Sequence, residues 1–190
     1  MKSLISILLL LTFLSCDRGP IIEDFKIEGV GLGDSLLDVF SKNEIEEQTL
    51  NPTVDYSVYN PPNLFYEYYK SKDLVTYKRM SFFVHSDDNK MKIQGIFGEL
   101  GNSSLDKCYA EQDSITQEFM NMFPEAEYYD YDIYESPYDE GISWRENVFA
   151  MPDNEELRTQ CFDIQNDAYA GNRDLYISLT TPELSDWLQQ

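Results

Sequence analysis

The chain has 190 residues, with 35 acidic side chains against 14 basic ones and a formal net charge of −21. That balance excludes nucleic acid as a partner and excludes electrostatic docking on anionic lipid, because both need basic patches. Fourteen tyrosines and eleven phenylalanines supply core material, so the acidity is not that of a disordered tail.

Residues 1–15 read as a targeting segment. Lys2 gives a basic start and Leu4 to Leu14 is an almost unbroken apolar run. A bilayer helix needs about 20 apolar residues, so this run is too short to span and right for a signal-peptide core. Phe13-Leu14-Ser15-Cys16 follows. It resembles the lipobox of bacterial lipoproteins, with Phe13 standing where leucine is usual. The resemblance implies cleavage before Cys16 and diacylation of that cysteine. It also implies a membrane-anchored place in the bacterial cell envelope, facing the periplasm or the exterior. Residues 16–24 then form a tether broken at Gly19-Pro20, and residues 25–190 form a single domain. Behind a secretory signal, the two remaining cysteines, Cys108 and Cys161, are expected to form a disulfide. They do not form a C-x-x-C pair, so a redox site is not expected.

Phe25 to Val30 reads as a short first strand. Gly31-Leu32-Gly33 opens a helix over about 34–48, where Ser35 and Asp38 stand at capping spacing. Ser41 and Glu44 repeat that spacing, which allows a break before the helix resumes to about Gln48. From residue 53 to 98 the pattern is β: Val54 to Tyr59, a turn at Asn60-Pro61-Pro62-Asn63, and Leu64 to Lys70. Val75 to His85 and Lys90 to Gly98 then form a hairpin. Leu100-Gly101-Asn102-Ser103-Ser104-Leu105-Asp106 echoes Leu32-Gly33-Asp34-Ser35-Leu36-Leu37-Asp38. The echo is compatible with a tandem unit of one helix and four strands, and equally with the ordinary chemistry of helix starts.

The second helix, over about 103–123, carries the clearest pattern. Leu105, Cys108, Gln112, Ile115, Phe119 and Met122 recur at steps of three and four, with Gln112 the one polar interruption, and Pro124 ends it. Residues 125–141 interleave acids with Tyr128, Tyr129, Tyr131, Tyr134 and Tyr138, and alternation over 129–134 suits a half-exposed strand. Strands follow at Ile142 to Met151, Leu157 to Ile164 and Asp174 to Thr180. Thr181-Pro182-Glu183 starts a short closing helix docked by Leu184, Trp187 and Leu188. The fold class is α+β: an antiparallel sheet with the long helix and the shorter N-terminal helix on one face. The mature part resembles small envelope lipoproteins of this layout. Gly31 to Phe40 and the element order are similar to helix-plus-meander periplasmic modules, namely the outer-membrane-assembly lipoproteins and the β-lactamase-inhibitor-like folds. That likeness implies a fold and no activity.

The sequence has no phosphate loop, no dinucleotide fingerprint and no H-E-x-x-H. His85 is the one histidine and reads as a solvated strand-end residue. Neither a metal site nor a cofactor is expected. Asp87-Asp88-Asn89 and the Tyr/Asp segment offer oxygens for calcium but match no calcium motif, and a solvated acidic surface is the simpler reading. The function expected is that of a non-catalytic, lipid-anchored binding or assembly protein that contacts an envelope protein or peptide. Its candidate surface is Tyr128, Tyr129, Tyr131, Tyr134 and Tyr138. The alternative is a carboxylate-based glycan-active enzyme, or a calcium or glycan binder.

Overall fold

A computed structural model describes Ile22 and residues 25–50, 64–102, 104–135, 141–165 and 173–189. The segment 1–16, the expected strand 54–59 and Tyr138 lie outside the described residues. The strands are β1 (Phe65–Lys70), β2 (Arg79–His85), β3 (Ile93–Asn102), β4 (Glu127–Glu135), β5 (Ile142–Ala150), β6 (Glu156–Ile164) and β7 (Arg173–Thr180). The helices are α1 (Lys42–Leu50), α2 (Leu105–Met122) and α3 (Pro182–Leu188). The strands make one antiparallel sheet in the order β1-β2-β3-β7-β6-β5-β4, so the fold is α+β. Two meanders run inward from opposite edges, and their last strands, β3 and β7, pair in the middle, with Ile96 opposite Leu179.

Alternation with period two assigns the faces. On β6, Leu157, Thr159, Cys161 and Asp163 are buried, and Cys161 is bonded to Cys108 of α2 with Cα atoms 6.0 Å apart. The odd-numbered residues of β6 therefore face α2. Ladder partners extend this interior face to Phe149, Ile177, Leu179, Ile96, Phe82 and Tyr68. Phe119 packs edge-on against Phe149 at 5.8 Å and against Phe25 at 5.5 Å. Gln112, the interruption in the helix stripe, is fully buried and is not a defect. Its amide nitrogen donates to the carbonyls of Thr159 at 2.9 Å and Arg145 at 3.1 Å, and its oxygen accepts from Arg145 Nε at 2.7 Å. A buried amide is tolerated because its donors and acceptor are satisfied.

The N-terminal part departs from the sequence expectation. Phe25 to Val30 forms no strand: Ile27 bridges Val30 around Glu28 and Gly29, whose φ values of 53° and 81° turn the chain back on itself. The expected helix over 34–48 divides into a 3-10 turn, Leu36–Asp38, and α1. The division is local chemistry. Glu44 accepts from the Ser41 N–H at 2.7 Å while Ser41 Oγ accepts from the Glu44 N–H at 3.3 Å, a capping box that starts a new helix. The two echoing heptads are also used differently. Leu100–Asn102 finish β3, and Ser104, one place beyond the aligned serine, caps α2 through the Lys107 N–H.

The short helix α3 lies on the sheet face opposite α2. Leu184 and Trp187 are buried with Phe65 and Phe83, and Trp187 meets Phe65 at 5.3 Å. Gly95 is required beneath it, because a Cβ there would stand 2.1 Å from Leu184 Cδ2.

Two predictions follow from these contacts. The Cys108→Ala/Cys161→Ala variant should lose about 2–4 kcal/mol in chemical denaturation, since a long closed loop is released in the unfolded chain. An unchanged midpoint would mean that α2 is held by packing alone. The second concerns the junction between the N-terminal segment and the β2–β3 turn, where Leu36 N–H donates to Met91 O and Ile93 N–H to Asp34 O. Asp34 is held below its ordinary 3.8 by the Lys26 ammonium and then by the Gly31 N–H. Asp88 is held below the same value by the Lys92 and Lys90 N–H groups. A depressed folded-state pKa contributes stability above the ordinary value and loses it as pH falls through the depressed one. NMR titration should find both carboxyls protonating below 3.8, with the Gly31, Lys90 and Lys92 amide signals moving at the same midpoints.

Candidate functional site

On the sheet face opposite α2, α3 packs over part of β1 to β3 and extends to β6, where Ser185 meets Glu156. The part of that face left open by α3 carries one side chain from every strand in a connected row. Tyr134 of β4 meets Trp144 of β5 at 4.9 Å, Trp144 meets Phe162 of β6 at 5.8 Å, and Phe162 meets Tyr176 of β7 edge-on at 5.2 Å. Tyr176 Oη donates to Glu99 of β3 at 3.2 Å, Arg79 of β2 pairs with Glu99 at 2.9 Å, and the Arg79 guanidinium sits 5.6 Å from the ring of Tyr69 on β1. Burial, reinforced by Glu99, pushes the Tyr176 hydroxyl up to about 12, so it stays a donor at physiological pH.

Beside this row lies a polar knot. Arg158 of β6 pairs with Glu146 of β5 at 2.9 Å and with Glu156, and Ser185 of α3 donates to Glu156. Burial opposes the Arg158 charge, but the two carboxylates outweigh it and hold its pKa above the ordinary value. Among the described residues, three grooves open on this face. One of about 340 Å³ lies among Phe97, Ile142, Phe162, Ile164 and Tyr176. Another of about 310 Å³ lies among Tyr129, Tyr131, Glu146 and Arg158, and one of about 190 Å³ runs along α3.

The expected surface tyrosines separate. Tyr129 and Tyr131 lie on the open face, stacked 6.4 Å apart, with exposures of 43% and 52%. Strict alternation would turn Tyr134 to the aspartate side. A register shift between Tyr131 and Tyr134 returns it to the open face opposite Trp144, 52% exposed. Tyr128 points the other way. It packs on Phe149 at 5.1 Å, and its hydroxyl lies 3.1 Å from the amide of Asn147, which also reaches Thr116 of α2. Tyr128 is thus part of the packing between β4 and α2.

Sequence reasoning missed Trp144, Phe162 and Tyr176. The signal was present: each sits on the strand phase opposite to the buried residues, where polar side chains are the rule. Reading it required knowing that Cys161 faces inward, which then puts Phe162 outward.

The remaining candidates are held in structural roles. Asp88 accepts from the Lys90 and Lys92 N–H groups at 2.8 Å each, so the Asp87-Asp88-Asn89 turn spends its carboxylate on the backbone. His85 Nδ1 accepts from the Asp87 N–H at 3.2 Å, and Nε2 lies 3.7 Å from Glu183. Glu146 and Glu156 both serve Arg158 and are not poised as acid and base. Among the described residues no three His, Cys, Asp or Glu side chains converge to hold a metal, and no helix is long and apolar enough to cross a membrane. No protein-family model, curated protein or solved structure matches the chain.

The open-face tyrosines should be separable from the core by stability. Tyr129→Ala and Tyr131→Ala should each change unfolding free energy by no more than about 0.5 kcal/mol, as surface positions do. Phe149→Ala, on the interior face beside them, should cost about 3–5 kcal/mol. A loss at Tyr131 comparable with that at Phe149 would reassign the tyrosines to packing.

Proposed function

We propose that this chain is a non-catalytic, lipid-anchored envelope protein that binds a protein or peptide partner through the open face of β4 to β7. The observation that carries the reading is the connected row Tyr134–Trp144–Phe162–Tyr176 beside the exposed pair Tyr129 and Tyr131. Aromatic side chains offer large contact area at low conformational cost and are favoured where partners dock. Bridged carboxylates, rather than acids free to donate, make this face a poor glycosidase centre. The anchor half of the proposal rests on Leu4 to Cys16, where a short apolar run ends at a cysteine.

The same reading takes the domain as two related halves, each a helix followed by a meander. Its support is the sheet order, in which the final strands of both meanders meet.

Photo-crosslinking in intact envelopes tests the proposal. A crosslinker at Tyr131 or Trp144 should trap a discrete partner, one at Glu118 on the exposed side of α2 should not, and Tyr131→Ala/Tyr134→Ala should abolish the adduct formed from Trp144. Mass spectrometry of the same membrane fraction should find Cys16 as an acylated N-terminus. Equal adducts from all three positions, or none from the open face, would refute the binding face. An unmodified residue 16 would refute the anchor.

A further inference from the structure

We propose that β4 receives a cationic, extended segment of another protein as an additional strand, along the edge turned away from β5. This deepens the reading of the chain as a protein- or peptide-binding module and depends on it. The segment would alternate lysine or arginine with apolar residues.

The two edges of the sheet are treated differently. At the β1 edge, the Gln48 side chain of α1 donates to the Tyr69 carbonyl at 3.1 Å and accepts from the Tyr69 N–H at 2.7 Å. A helix thereby satisfies edge groups that would otherwise recruit another strand. At the β4 edge, among the described residues, nothing pairs with the side away from β5. The strand is nine residues long, exposed at every position except Tyr128. At its bulge an edge group is taken up locally, where Asp132 accepts from the Ile133 N–H at 2.9 Å. A long edge with free main-chain groups is a template for strand addition.

Charge identifies the occupant. Glu127, Asp130, Asp132 and Glu135 all lie on β4, and none forms an ion pair with a described residue. The cations of the neighbouring strands are already engaged: Arg145 with Asp113 and Arg158 with Glu146. A second copy of the chain is disfavoured, because self-pairing would set these acids against each other in a molecule of net charge −21. The two faces of β4 then specify the alternation. Asp130 and Glu135 share the α2 side with Tyr128, whereas Tyr129, Tyr131 and Tyr134 lie on the open side with Glu127, which accepts from Tyr129 Oη at 2.6 Å. An incoming strand would set its basic residues beside Asp130 and Glu135 and its apolar residues beside the tyrosines.

The test uses the full chain in detergent and a capped nine-residue peptide of alternating lysine and valine, matched to the length of β4. Two further peptides are N-methylated, one on the lysine amides and the other on the valine amides. Strand addition uses only every second amide, so one methylated form should bind roughly tenfold more weakly than the parent and the other should bind nearly as well. Hydrogen exchange should slow at the β4 amides that do not bond to β5. The Asp130→Lys/Glu135→Lys variant should lose the lysine peptide and gain one in which glutamate replaces lysine. Failure of the parent peptide to bind, or equal binding by both methylated forms, would overturn strand addition. So would concentration-dependent protection of β4 without peptide, which would mark a second copy as the occupant. The crosslinking at Tyr131 and Trp144 is independent of these results: adducts there with no methylation effect would leave the open-face reading standing and remove only the edge.

Discussion

The attachment of α2 to β6 decides what the rest of the sheet can do. Cys108 and Cys161 are both fully buried, and one turn along the helix Gln112 reaches Thr159 on the same phase of the strand. Side chains alternate along a strand, so these contacts set the facing of every residue on β6, and the ladder passes that setting to β5, β7 and β3. Slipping β6 by one residue would bury Arg158, Gln160 and Phe162 and expose Leu157 and Cys161. The covalent and hydrogen-bonded fastening excludes that alternative far more strongly than apolar packing alone, because Phe162 is itself apolar and would accept the interior. The open aromatic face therefore depends on the disulfide although it touches no part of it.

This dependence explains which parts were legible in the sequence. Turn chemistry marked most of the strands: the prolines and acidic-polar turns punctuate the β runs, and no long-range knowledge is needed to read them. The pairing of Cys108 with Cys161 was expected from cysteine count and from reading residues 1–15 as a secretory signal. What could not be read was which side of each strand faces in. Trp144, Phe162 and Tyr176 are far apart in sequence and meet only because β5, β6 and β7 are neighbours in this register. Arg158 and Glu146 were equally invisible as a pair. The bulge after Tyr131 is a backbone irregularity with no local signature in the tyrosine pattern, yet it moves Tyr134 from one face to the other. At the N-terminus the reverse held: strand-like and helix-like composition was overridden by the turn at Glu28-Gly29 and by the Ser41–Glu44 capping box.

The acidity of the chain is not spread evenly in effect. Several cations on or beside the described sheet meet a carboxylate: Lys78 with Asp174, Arg79 with Glu99, and Arg158 with Glu146 and Glu156, whereas Lys70 of β1 donates to the Val39 carbonyl and lies over the Phe40 ring. These pairs are at least partly withdrawn from solvent on their acidic side, which leaves little residual field near the centre of the sheet. The uncompensated charge is expressed at the periphery, and β4 combines it with an open edge and with exposed rings. Either property alone has an ordinary explanation. Acids on an edge strand discourage aggregation, and tyrosines on an outer strand can be the rim of a core. Together they are selective: the acids discourage neutral and acidic strands, while the rings and free main-chain groups reward one that is basic and apolar in alternation. A surface built only to repel would not place Tyr129, Tyr131 and Tyr134 on one side of the same strand, with Tyr134 in contact with a row that continues through Trp144 and Phe162 to the hydroxyl of Tyr176.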